Sequence, residues 1–167
     1  MDMDAYGKQR AERRRAMTQI KKLRRVAVGP DATFYFESYE TMLHQVHEML
    51  YIEKGGEAQI ADELTAYNPL IPNGRELVAT LMFEIDDPDR REKVLGALGG
   101  VEGTITLSLG DYSVRAVPES EVDRTTAAGK TSSIHFLHFP FDEKAITDMR
   151  TDGARVVLGI EHPGYAH

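Results

Sequence analysis

Apolar positions follow a helical period in the first half of the chain and alternate in the second. Within residues 5–25, Ala16, Met17, Ile20 and Leu23 fall at i, i+1, i+4 and i+7, one stripe of an amphipathic helix. Gly29-Pro30-Asp31 ends that helix and turns the chain. Residues 32–37 are rich in aromatic and β-forming side chains and predict a short strand. Ser38 then caps a helix running to about Lys54, where Gly55-Gly56 stops it. A further helix over 57–66 runs into 67–74, whose two prolines require an extended, stiff loop. Residues 76–85 are nearly all apolar and predict a central strand covered on both faces, with a buried helix as the alternative. Asp87-Pro88 supplies a cap and an N1 proline for a helix that ends at Gly99-Gly100.

Beyond residue 104 the period is two. Residues 104–109 and 112–117 alternate around Gly110-Asp111, the signature of a hairpin. The polar run 118–130 predicts a mobile loop. Residues 133–139 predict a strand, Asp142 caps a short helix, and 155–160 predict the last strand. Helices followed by a hairpin and strands imply a single α+β domain with a largely antiparallel sheet and the N-terminal helices packed on one side. The expected organisation is a basic helical arm over 1–30 and one α+β domain over 31–167.

The chain has 167 residues, 41% of them hydrophobic, which is enough to bury a core without a disulfide or structural metal. Its cysteine count of zero removes thiolate zinc sites, protein-ligated iron–sulfur clusters and cysteine nucleophiles, and fits a reducing cytoplasm. No apolar run has the length of a membrane span, and the first residues lack a signal-peptide core. A cytoplasmic protein without membrane contact is expected.

Charge is unevenly spread. Residues 1–30 carry nine Lys/Arg against three Asp/Glu, a net +6, so with −7 overall the other 137 residues carry −13. A basic arm on an acidic body fits nucleic acid, an acidic partner, or an arm docked on its own body. Tyr6 is the arm's sole aromatic, so no base-stacking surface alternates with its cations, and an acidic body repels phosphate. Nucleic acid is therefore the least favoured of the three. A packed helix is expected, with Met17, Ile20 and Leu23 inward and the arginines outward; the same surface could dock a second copy.

Candidate chemistry concentrates on the helix over 39–54. Met42, Leu43, Val46, Met49 and Leu50 form a core stripe, while the opposite face gathers Glu40, His44, His47, Glu48 and Tyr51. His44 and His47 with Glu48 and Glu40 lie on adjacent turns, the spacing that lets imidazole and carboxylate share a divalent ion such as iron or zinc. The plain reading is that polar residues belong opposite an apolar face, and one helix supplies too few ligands to close a site. His135 and His138 alternate along one strand and so cannot share an ion. His138, beside Ile134 and Phe136, is the expected core histidine, which leaves His135 to join the helical pair. Phosphate motifs fail: Gly129-Lys130-Thr131 resembles the end of a P-loop, but Arg124 stands where the first glycine is needed and the segment leads into a strand.

Several segments carry a resemblance in order along the chain: Arg25-Val26-Ala27-Val28-Gly29-Pro30, Phe36-Glu37, Gln45-Val46-His47-Glu48-Met49-Leu50, Tyr67-Asn68-Pro69-Leu70-Ile71-Pro72, Ala79-Thr80-Leu81-Met82 and Ser132-Ser133-Ile134-His135-Phe136-Leu137. Together with the basic first helix they resemble the bacterial domain-of-unknown-function family thirty-five-oh-one over nearly the whole chain. The resemblance implies no catalytic residues. It does imply a genomic neighbourhood of rubrerythrin-like and iron–sulfur oxidoreductase proteins, hence a role in iron or redox metabolism. Two expectations follow: a non-haem metal protein built on the helical stripe, or an accessory protein that docks a redox partner through its basic helix.

Overall fold

The computed structural model describes residues 2–119 and 130–167. Among the described residues, five α-helices and two antiparallel sheets are stacked in layers. Helix α1 (Met3–Lys22) lies on α2 (Tyr39–Glu53), which packs beside α3 (Glu57–Tyr67). Beneath them is a five-stranded sheet, in spatial order β1 (Arg25–Val28), β2 (Ala32–Phe36), β3 (Glu76–Phe83), β7 (Ile134–Pro140) and β6 (Val117–Pro118). The second sheet runs β5 (Tyr112–Arg115), β4 (Ile105–Leu109), β8 (Val156–His162) and β9 (Tyr165–Ala166). The remaining helices are α4 (Pro88–Gly96) and α5 (Glu143–Met149).

The position of β3 explains its composition. Ala79, Leu81 and Phe83 point into the core shared with Ile105, Leu107 and Ile160 of the second sheet. Val78 faces the other way and packs against Met42 of α2 and against Leu70. A strand covered on both faces reads as continuous apolar sequence rather than as alternation. The predicted caps are in place: Ser38 opens α2 with a capping box closed by Thr41, Asp87 opens α4 ahead of Pro88, and Asp142 opens α5.

The arm differs from expectation in its end, in Ile20, which is 39% exposed rather than packed, and in Leu23 and Tyr6. Helix α1 stops at Lys22, and residues 25–28 form an edge strand paired antiparallel with β2. Leu23, expected to pack, is the C-cap residue and is 91% exposed. Tyr6, which no expectation placed inward, is fully buried; eleven positions before Met17, it shares that residue's face of the helix. The loop expected over 118–130 begins inside β6, and its positions 120–129 lie outside the described residues. Strand β9, only two residues long, is not anticipated by any pattern. Its Tyr165 hydroxyl accepts hydrogen bonds from the Asp31 and Ala32 amides at 2.8 and 2.9 Å and donates to the Val28 carbonyl at 2.8 Å. The β1–β2 turn is thereby tied to the second sheet. Among the described residues, no helix is long and apolar enough to cross a membrane.

Candidate functional site

From His44 onward the polar stripe of α2 is partly covered, because α1 lies along it; Glu40 at its start is exposed. Glu48 accepts hydrogen bonds from Arg10 Nε and Nη2, each at 2.9 Å, and from the Tyr6 hydroxyl at 2.7 Å. Arg14 Nε stands 3.9 Å away. The Arg10 hydrogen bonds come first among the causes that hold the Glu48 carboxyl at about 2. Burial, followed by the hydrogen bond to Glu48, drives the Tyr6 phenol well above its ordinary value. Around this centre the Arg10 guanidinium lies over the Tyr51 ring at 4.9 Å, and the Tyr6 ring meets His47 at 5.2 Å and Tyr51 at 5.8 Å. The basic arm therefore docks on its own body, with Arg10 turned inward rather than outward.

Glu40, His44 and His47 border a groove of about 240 Å³ between the two helices, together with Arg13, Ala16, Met17, Ile20 and Leu43. Both imidazoles are pushed below their ordinary value, first by burial; the cations Lys21 and Arg14 act in the same direction on His44, against Glu48, and Arg13 does so on His47. Glu40 is exposed, and hydrogen bonds from its own amide and from Ser38 lower its carboxyl. The site residues expected on α2 are thus brought together, but Glu48 is already committed to Arg10 and Tyr6.

His135 does not join them. It pairs in register with Leu81 on the face of β7 that looks into the core between the sheets, the opposite side from α2. Fully buried, it places Nε2 2.9 Å from the Ser132 carbonyl and 3.2 Å from the Thr131 hydroxyl, and its ring meets Phe83 edge-on at 6.2 Å. Nδ1 lies 3.9 Å from the Glu102 carboxylate. The expected roles of the two strand histidines are therefore exchanged: His135 is the core histidine. His138, on the helix-facing side, sits between two carboxylates, with Nδ1 2.9 Å from Glu76 and Nε2 3.2 Å from Glu119. That pairing depends on the register of β3 and β7, which sequence spacing does not reveal. Among the described residues, no group of three or more His, Asp or Glu side chains has metal-holding geometry.

The model of the family described as "protein of unknown function (DUF3501)" matches residues 1–167. The chain belongs to this family. It is also similar to the crystal structure of a protein of unknown function from Burkholderia pseudomallei, at 34% identity and a TM-score of 0.91, over 99% of this chain and 86% of that one. The likeness extends across both sheets and the helical layers. Comparison with curated proteins found no match.

Proposed function

We propose that this chain is a non-enzymatic accessory protein that docks an acidic redox partner, an iron–sulfur or rubrerythrin-like protein, through the outer face of α1 and the lip it shares with α2. The observation carrying this reading is an apolar strip with a cationic rim. Leu23 is 91% exposed and lies one turn beyond Ile20, itself 39% exposed; across the groove is Leu43 at 39%, and one turn before it on α2 is Tyr39 at 58%. A leucine left open at the end of a helical stripe is one whose burial against a partner contributes about 1.5–3 kcal/mol. Along the same helix Lys8, Arg15, Lys21 and Lys22 enter no salt bridge among the described residues, Lys21 and Lys22 beside Leu23 and Lys8 about four turns away. Opposed charge steers association and sets register, while the apolar centre supplies affinity.

Calorimetric titration with purified rubrerythrin-like and iron–sulfur proteins from a bacterium encoding the family tests this. Binding on the order of a micromolar is expected. It should weaken about tenfold for Arg15→Glu/Lys22→Glu, and should also weaken for Leu23→Ser and at higher ionic strength. No association with either protein, or an affinity indifferent to these changes, overturns the reading.

A second reading places a divalent ion, iron or zinc, on His44 and His47 with Glu40 at the rim. It is favoured by the three side chains bordering one groove and by burial, which shifts both rings toward the neutral form that ligates. Metal content and zinc titration of the untagged chain, beside His44→Ala/His47→Ala, decide it: equal metal in both sinks this reading.

A further inference from the structure

The two sheets part along one edge, between β1 and β8. Among the described residues, strand β1 is the outermost strand of its sheet, and the outer edge of β8 is paired from Ile160 onward, where Ile160 and His167 exchange backbone hydrogen bonds at 2.9 and 3.0 Å. The space left between the edges is about 520 Å³, within the range of small-molecule sites. Its walls continue the main core: Val28 and Leu107 belong to that core, and Phe36, Leu77, Met149 and Leu158 pack against it while only partly buried. Val26 and Val156 stand at the mouth, 43% and 42% exposed. His167 carries the one ionisable side chain of the lining.

We propose that this cleft binds a small molecule with an unbranched aliphatic chain, laid between β1 and β8 with its polar end at the rim beside His167. Apart from His167, the lining side chains are all apolar, so a polar metabolite would find only the backbone groups of the strand edges to replace its hydration. The lining follows β1 from Val26 to Val28, and the strand's four residues span about 13 Å, a length along which an aliphatic chain can be laid. Leu77 comes from β3 and Leu107 from β4, both inside their sheets, so the occupant must reach beneath the strand edges. A peptide strand added side by side to β1 would not reach them.

Dodecanoate and the uncharged dodecanol are the probes, titrated into the full chain by calorimetry and by amide chemical-shift mapping. Saturable binding of both, on the order of 10 micromolar, is expected with shifts on β1, β8 and α5. Val26→Glu at the mouth should weaken both probes at least about tenfold. Val157→Glu, which alters the exposed side of β8, should leave both unchanged and controls for general effects of added charge. Absence of saturable binding, shifts confined to the α1–α2 groove, or equal affinity in the two variants overturns the proposal. None of these outcomes depends on the docking of a redox partner.

Discussion

Arg10 on α1 holds both carboxylate oxygens of Glu48 on α2, at 2.9 Å each, and so fastens the basic arm to the acidic body. The side chain of Glu48 is 13% exposed, which shields the pair from solvent more than a surface ion pair is shielded. Because the folded-state carboxyl is lowered from 4.5 to about 2, the unfolded chain takes up the proton first as pH falls. The contribution of Glu48 is complete above about 4.5 and is lost as pH drops through about 2. Glu48→Gln is expected to be less stable at neutral pH by about 2 kcal/mol. That gap should close between pH 4.5 and 2. Urea unfolding of both proteins across this range measures it; a gap independent of pH contradicts the assignment.

Caps and uninterrupted apolar runs made most elements readable. Ser38, Asp87-Pro88 and Asp142 mark helix starts by side-chain chemistry that acts locally, and Gly110-Asp111 marks a turn the same way. Strand β1 is not legible because it is four residues long and follows Arg24 directly, so the helical spacing of apolar residues runs on into it. The stripe on α2 was also legible, but spacing shows which residues share a face and not what covers that face. Its cover, Tyr6 and Arg10, lies 42 and 38 positions from Glu48. Alternation likewise separated His135 from His138, whereas only the pairing of Leu81 with His135 decides which ring enters the core.

Tyr165→Phe is expected to destabilise the chain through a turn distant in sequence. The Tyr165 hydroxyl serves the amides of Asp31 and Ala32 and the carbonyl of Val28, three buried residues that flank the Gly29-Pro30 turn. Phenylalanine fills the same space but leaves two donors and an acceptor unsatisfied, at a cost of about 2–4 kcal/mol. A thermal midpoint lower by several degrees checks this, with Tyr35→Phe as the control, since its hydroxyl bonds Glu84 at an exposed position.

Glu37 is 6% exposed and receives the Thr80 hydroxyl at 2.6 Å and the Thr41 hydroxyl at 2.5 Å, joining β3 to the first turn of α2. Removing a donor from a buried carboxylate costs about 1.5–3 kcal/mol, so Thr80→Val should be strongly felt despite its near-equal volume. The loss should shrink when Glu37 is already glutamine, because the threonine then no longer serves a charge. A double-mutant cycle by urea unfolding measures the coupling; strict additivity is the contrary result.

Gly7 sets two opposed effects against each other. In the interior of an exposed helix, Gly→Ala stabilises by about 1 kcal/mol through backbone entropy. Here a Cβ would lie 2.9 Å from Tyr51 Cε2, closer than packing allows. The ring cannot simply swing away, since it packs against Tyr6 at 5.8 Å and carries the Arg10 guanidinium at 4.9 Å. Displacing it disturbs the clamp on Glu48, and overpacking of this kind costs about 1–3 kcal/mol. Gly7→Ala is therefore expected to lower the thermal midpoint, the reverse of its usual sign. In a Tyr51→Leu background the obstruction is gone, and the same substitution should raise the midpoint. A stabilising effect of Gly7→Ala in the parent chain would mean that α1 stands further from α2 than the Arg10–Glu48 distances require.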